Sequence, residues 1–340
     1  MGLTVGQPRA VTLAAAVRSG PPVLLDGGLA TRLEARGHDL STELWSARLL
    51  LDEPGEVRAA HADFRAAGAR IATTASYQVS FEGLAQVGID AVGCTALFRR
   101  SVRLAREAMG ECGWVAASIG PYGATLADGS EYTGRYAALD PARGGSATAG
   151  REFLRRWHAR RLAALVGDEV ADDDLPDVLA METVPCLAEA QVLVGLAQEW
   201  GGARGIPAWV SFTCVGDRLR SGEPAAAAFA LARGVDAVLA VGVNCTDPTD
   251  VAALVQLAAR ESGKPVVVYP NSGETWDARA RSWRGATRFT AQDATRWVEA
   301  GARLVGGCCR VAPEAIADIA AALGTETPAA QPDTQTPGDR

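Results

Sequence analysis

The sequence predicts an α/β fold, a single-domain (β/α)8 barrel of the TIM type. Three observations predict it. Eight short apolar runs alternate with amphipathic helical patterns, the composition does not break between them, and polar and cysteine residues gather where the runs end.

The runs are 22–26 (PVLLD), 70–75 (RIATTA), 114–119 (WVAASI), 178–182 (VLAME), 208–212 (AWVSF), 237–243 (AVLAVGV), 265–269 (PVVVY) and 303–307 (RLVGG). They are continuously apolar rather than alternating, as expected of parallel strands covered on both faces. Between them, Val251, Leu254, Val255 and Ala258 recur at helical spacing, as do Ile316, Ile319, Ala320 and Leu323. Thr290 with Asp293 predicts a capping box opening the helix through Trp297. An open doubly wound sheet is the main alternative. However, DGGLAT follows the first run where a dinucleotide-binding sheet would carry G-x-G-x-x-G. The barrel is expected over residues 1–324. Residues 325–340, rich in Pro, Thr and Asp, read as a disordered tail, and residues 124–150 as a long loop.

Composition narrows the function classes. The chain has 340 residues and a formal net charge of −7, and its basic residues form no stripe, so no nucleic-acid partner is expected. No run of 18 apolar residues exists and the first residues lack a signal-peptide pattern, so neither a membrane partner nor export is expected and the default is cytoplasmic. Seven cysteines in a long chain of this kind read as reduced thiols rather than a disulfide framework. Oligomeric state is not set by any of these features.

Active sites of β/α barrels form at the C-terminal ends of the strands. Here those ends carry DGGLAT (26–31), TTASYQ (73–78), GPYG (120–123), ETVP (182–185), SFT (211–213), GVNC (242–245), YPNSGE (269–274) and GGCCR (306–310). Cys245 after run six and Cys308 with Cys309 after run eight would point into one mouth. Three thiolates and one vacant position suit a catalytic ion, and soft sulfur ligands favour zinc or copper(I). Neighbouring cysteines face opposite sides of a strand, so both reach one ion only where the chain leaves it. Gly306-Gly307 is expected to supply that turn. The other reading is that the three are small buried hydrophobes, which is the reading given to Cys94, Cys112, Cys186 and Cys214. No histidine ends a run, and His61 and His158 read as surface or packing residues on helices. Asp26 and Glu182 are placed to hold an α-ammonium group. Alternatively, Asp26 is a turn residue before Gly27-Gly28 and Glu182 a cap or structural acid. Thr213, Asn244, Tyr269 and Asn271 are further candidates for hydrogen bonds to substrate.

Taken together, DGGLAT, LWSA (44–47), TTASYQ, ETVPCLAEA (182–190), GVNC, YPNSGE and GGCCR resemble the homocysteine S-methyltransferase family over residues 20 to 323. The resemblance implies Zn2+ held by Cys245, Cys308 and Cys309, with homocysteine thiolate taking the vacant position. It also implies that Asp26 and Glu182 partner the homocysteine amino group and that a methyl sulfonium donor serves as second substrate. DGSEYTGRY (128–136) looks like the loop of the sulfonium-using branch, with carboxylates and aromatics suited to a cation. With no room after the barrel in these 340 residues, folate or cobalamin modules are not expected. Three alternatives are weighed: a zinc-binding or thiol-sensing barrel without turnover, a betaine- or other-donor homocysteine methyltransferase, and a barrel whose GGCC turn binds phosphate.

Overall fold

A computed structural model of the chain describes residues 11–40, 45–126, 128–136, 146–277 and 282–325. Eight strands form one parallel sheet: β1 (Val23–Leu24), β2 (Ile71–Thr73), β3 (Trp114–Ile119), β4 (Val178–Val184), β5 (Ala208–Phe212), β6 (Val238–Asn244), β7 (Val266–Tyr269) and β8 (Ala302–Val305). The pairing order is β1-β8-β7-β6-β5-β4-β3-β2. Leu25 bridges Ile71 in parallel, and the Arg70 N–H donates to the Leu24 carbonyl at 2.8 Å, which joins β1 to β2, the two ends of that order, and closes the ring. The predicted barrel is therefore the observed fold. The expected runs differ from the strands by a few residues at their ends, where the chain leaves the ladder to build the rim. β4 instead runs two residues longer, through a register shift between Met181 and Val184.

Helices surround the barrel: α1 (Leu13–Ser19), α2 (Leu29–Ala35), α3 (Trp45–Asp52), α4 (Pro54–Ala66), α5 (Phe81–Gln86), α6 (Ala91–Met109), α7 (Ala147–Val166), α8 (Leu187–Leu196), α9 (Ala225–Ala230), α10 (Val251–Ser262), α11 (Ala291–Glu299) and α12 (Pro313–Leu323). The helical spacing of residues 251–258 places Val251, Leu254, Val255 and Ala258 on the buried face of α10. On α12, Ile316, Ile319 and Ala320 are buried and Leu323 packs half-buried against the same layer. Thr290 and Asp293 form the expected reciprocal capping box at α11.

The strands are apolar throughout because both faces are covered. One face packs on the helices in the large outer core. The other fills the barrel with Leu25, Ile71, Trp114, Trp209, Val267 and Leu304, while Leu13 and Val17 of α1 close the N-terminal end. The interior is thus a packed core and leaves only the C-terminal mouth for chemistry.

The expected long loop begins with 3₁₀ turns at Tyr122–Thr125 and Ser130–Tyr132 and ends where Ser146 caps α7. Residues 137–145 and 326–340 lie outside the described residues, and with them the expected tail, as do Leu44 of LWSA and the side chains that follow it to 47. No helix among the described residues is long and apolar enough to cross a membrane.

Candidate functional site

Cys245 follows β6, and Cys308 and Cys309 follow β8, so β7 lies between them. The end of β7 spaces them. The Cys245 N–H donates to the Tyr269 carbonyl (3.3 Å), the Cys308 N–H to that of Pro270 (2.8 Å), and the Ser272 N–H to that of Cys309 (3.1 Å). The three sulfurs lie within 4.8 Å of one another, with Cys245 to Cys308 at 2.9 Å and Cys308 to Cys309 at 4.0 Å. A tetrahedral ion with sulfur bonds of about 2.3 Å spreads its ligands to about 3.8 Å. The 308–309 pair already has that spread, and the 245–308 pair reaches it by opening about 1 Å. The three residues fit one soft or borderline metal ion with one position left over. The thiols of Cys245 and Cys308 hold Cys309 well below the usual thiol range, whereas Cys245 is pushed up by its hydrogen bonding to the other two and then by burial.

The turn that joins these sulfurs differs from the expected one. Neither Gly306 nor Gly307 has a positive φ; the left-handed residues are Cys245 (φ 48°) and Arg310 (φ 66°). The glycines serve close approach instead. A Cβ on Gly306 would lie 2.7 Å from the Asp26 carbonyl, and one on Gly307 2.2 Å from Val311. On the facing side, a Cβ on Gly28 would lie 2.6 Å from the Cys308 carbonyl. The ends of β1 and β8 are laced by Gly307 N–H to Asp26 O (3.0 Å), Gly28 N–H to Val311 O (2.9 Å) and Arg310 N–H to the Thr31 hydroxyl (2.9 Å).

This lacing sets Asp26 next to the turn that carries Cys308 and Cys309. Its carboxylate accepts from the Thr73 N–H (2.7 Å) and the Thr73 hydroxyl (2.9 Å). Glu182 accepts from the Ser118 hydroxyl and lies within electrostatic reach of Cys308 and Asp26. Burial pushes Asp26 up to about 8, with Glu182 adding to the rise, and burial pushes Glu182 up to about 7. Two buried acids within electrostatic reach of one another are suited to receive a cation.

The other candidates are placed differently. Asn244 lies fully buried below the rim. Its carbonyl accepts from the Thr183 N–H (2.7 Å) and the Ser211 hydroxyl (2.8 Å), and its amide nitrogen donates to the Thr183 hydroxyl (2.7 Å). Thr213 is also fully buried and donates to the Cys245 carbonyl at 3.0 Å. Tyr269 accepts from Trp209 Nε1 (2.9 Å), contacts the Ser211 hydroxyl (2.6 Å), and interacts with Glu182. These three brace the site from beneath. Asn271 donates its N–H to the Thr246 carbonyl, and its side-chain oxygen is buried without a partner among the described residues. His158 is buried on Glu189 and His61 in the core, both away from the sulfurs. Cys94, Cys186 and Cys214 are buried singly, and Cys112 is exposed.

Residues not singled out from sequence complete the mouth. Tyr77 interacts with Thr183 and lies within electrostatic reach of Cys245, Glu131 and Glu182; Tyr132 lies within reach of Cys309, Cys245 and Tyr77. Their motifs, TTASYQ and DGSEYTGRY, were visible, but which side chains turn inward depends on loop conformation.

The comparisons with known proteins point to one family. A family model described as homocysteine S-methyltransferase matches residues 23–323. Homocysteine S-methyltransferase YbgG of Bacillus subtilis is 40% identical over 317 residues, covering 88% of this chain and 94% of the relative. Homocysteine S-methyltransferase 1 of Zea mays is 39% identical over 331 residues (91% and 97%), and a selenocysteine Se-methyltransferase of Brassica oleracea var. italica is 37% identical over 323 residues (88% of each). Among solved structures, the metallated form of the homocysteine methyltransferase MmuM from Escherichia coli aligns with a TM-score of 0.76 at 37% identity, covering 90% of this chain and 98% of that one.

Proposed function

The chain belongs to the homocysteine S-methyltransferase family, and from that premise we propose that it moves a methyl group from a sulfonium donor, S-methylmethionine or S-adenosylmethionine, to homocysteine on a zinc ion held by Cys245, Cys308 and Cys309. The observation that carries this reading is the convergence of three sulfurs from two strand ends within 4.8 Å, next to a buried pair of acids. The metallated state of the related Escherichia coli enzyme supports an ion there, and the all-sulfur donor set favours zinc.

Zinc, when bound, supplies a position at which a substrate thiol is deprotonated and nucleophilic at neutral pH. The chain's own residues do the rest. Asp26 and Glu182 take the acceptor's α-ammonium group, which fixes the acceptor sulfur relative to Cys308. Asn271 offers its unpartnered side-chain oxygen as a further acceptor. Thr73, Ser118 and Thr213 hold these groups in place through the bonds described above. The transferred carbon gains a bond to the acceptor sulfur as its bond to the sulfonium breaks. The electron pair leaves with the donor sulfur, which becomes a neutral thioether. No proton is transferred to the leaving group, so the mouth needs no histidine.

The test is to incubate the purified, metal-loaded protein with homocysteine and each sulfonium in turn, and to quantify methionine. Methionine from at least one donor, lost on chelation and restored by zinc, is the expected result. Full activity in a rigorously metal-free preparation, or no methionine from either donor, would overturn the reading. Resemblance to a selenocysteine methyltransferase makes selenocysteine the second acceptor to include.

A further inference from the structure

One carboxylate ties the end of the rim segment 128–136 to the turn after β3. Buried Glu189 of α8 accepts from the Tyr122 N–H (2.7 Å) and the Tyr136 hydroxyl (2.7 Å), and pairs with His158 Nε2 (2.8 Å). Buried Arg161 of α7 donates to the carbonyls of Tyr77 (3.0 Å), Val79 (3.1 Å) and Gly120 (2.7 Å), which ties the turns after β2 and β3 together. Two glycines let the segment lie close. A Cβ on Gly123 would come within 2.6 Å of the Glu131 nitrogen, and one on Gly134 within 3.1 Å of the Pro185 carbonyl. The segment is therefore pressed against the ends of β3 and β4, with Glu131 and Tyr132 at its centre.

Tyr132 lies within electrostatic reach of Cys309, Cys245, Tyr77 and Glu131, and Tyr77 within reach of Cys245 and Glu131. The two rings thus lie beside the sulfurs, and the Glu131 carboxylate lies beside the two rings. The nearby cations and acids are otherwise engaged. Asp128 accepts from the Ser130 N–H (2.9 Å) and hydroxyl, and Arg220, 6.0 Å from the Tyr132 ring, donates through Nε to Thr213. Glu131 Oε2, by contrast, is buried without a hydrogen-bond partner among the described residues. A buried carboxylate oxygen left without a donor is costly unless a cation meets it.

We propose that Glu131 is the counter-ion of the methyl donor: the sulfonium enters between Tyr77 and Tyr132 with its positive charge against the Glu131 carboxylate and its methyl group toward the cysteine cluster. The inference rests on the reading of the chain as a sulfonium-dependent methyltransferase. It adds that the donor is selected by its charge, since the two aromatic walls also favour a cation. The donor loses its charge when the methyl group leaves, so the same carboxylate releases its hold on the thioether product. Its contribution is greatest before the reaction, and its loss therefore falls mainly on donor KM.

The experiment compares the metal-loaded wild type with Glu131→Gln and the charge-keeping Glu131→Asp. For Glu131→Gln, donor KM is expected to rise about 10- to 100-fold, with kcat changed less than about 3-fold. Metal content and homocysteine KM stay at wild-type values. Methylation of enzyme-bound homocysteine by methyl iodide, a neutral donor, keeps its wild-type rate, and Glu131→Asp recovers part of the donor affinity. An unchanged donor KM in Glu131→Gln, or equal losses toward the sulfonium and methyl iodide, overturns the proposal. A wild-type enzyme that makes no methionine from any sulfonium overturns it together with the underlying reading, and is told apart because no variant is needed to see it.

Discussion

Asn244 holds Thr183 in the left-handed region of backbone space. Thr183 has φ 59°, and Asn244 meets both its N–H and its hydroxyl at 2.7 Å. A β-branched residue is strained there by about 1–3 kcal/mol. That strain accompanies the register shift in β4 and sits next to Glu182, so a side chain at the end of β6 fixes the direction of an acid at the end of β4. Asn244→Ala is expected to destabilise the fold by about 3 kcal/mol, because two buried polar groups of Thr183 lose their partner. It is also expected to raise homocysteine KM. Urea denaturation and steady-state kinetics measure the two; a variant with wild-type stability would show that Thr183 needs no clamp.

The sulfur trio makes a second prediction. Alanine at Cys245, Cys308 or Cys309 is expected to lower bound metal below about a tenth of an ion per chain and turnover by at least about 1000-fold. Cys94→Ala, buried in the outer core, leaves metal content unchanged. Elemental analysis of each variant beside its rate decides; a full ion in any of the three site variants contradicts the assignment.

A third concerns the acid pair. Asp26→Asn and Glu182→Gln each remove a charged partner of the acceptor's ammonium group and are expected to raise homocysteine KM about 10- to 100-fold. An acceptor without that group, 4-mercaptobutyrate, is a poor substrate for the wild type, and the two variants no longer discriminate against it. Should they still prefer homocysteine by the wild-type margin, the acids do not read the amino group.

A fourth prediction concerns pH and stability, away from the site. His61 is fully buried in α4 with both ring nitrogens unpartnered among the described residues, and burial lowers its pKa to about 4. The unfolded chain protonates this ring near 6.5, and the native one does not until about 4. Stability present above pH 6.5 is therefore lost as the pH falls from there to about 4, by about 3 kcal/mol for this group. His61→Leu is expected to flatten that part of the curve. Denaturation series at pH 7.5 and 5 measure it, and an equal pH slope in both proteins would assign the loss to other groups.

Much of this protein was legible in its sequence. Continuous apolar runs marked all eight strands because each is covered on two sides, and the rule that barrel chemistry sits at strand ends then singled out Asp26, Glu182 and the three cysteines. What the sequence hid was conformation and partnership. Asn244, Thr213 and Tyr269 read as substrate ligands because they stand at strand ends. Their hydrogen bonds within the fold go largely to Thr183, Cys245, Ser211 and Trp209, contacts that depend on register between strands. Gly306 and Gly307 read as a flexible turn, whereas they are needed for their small size; Cys245 and Arg310 carry the positive φ, and nothing in their residue type announces it. Tyr77 and Glu131 were hidden inside motifs whose loops decide which way they face.

The spacing of the sulfurs by β7 also bears on biosynthesis. Cys245 is separated by 63 positions from Cys308, and the two meet only once β8 has paired with β7. A ribosome releases β8 last of the strands, so an ion that needs all three sulfurs would find them together only after β8 has docked. Metal loading of the nascent enzyme would then report the docking of β8, and truncated or misassembled chains would be marked by failing to retain the ion.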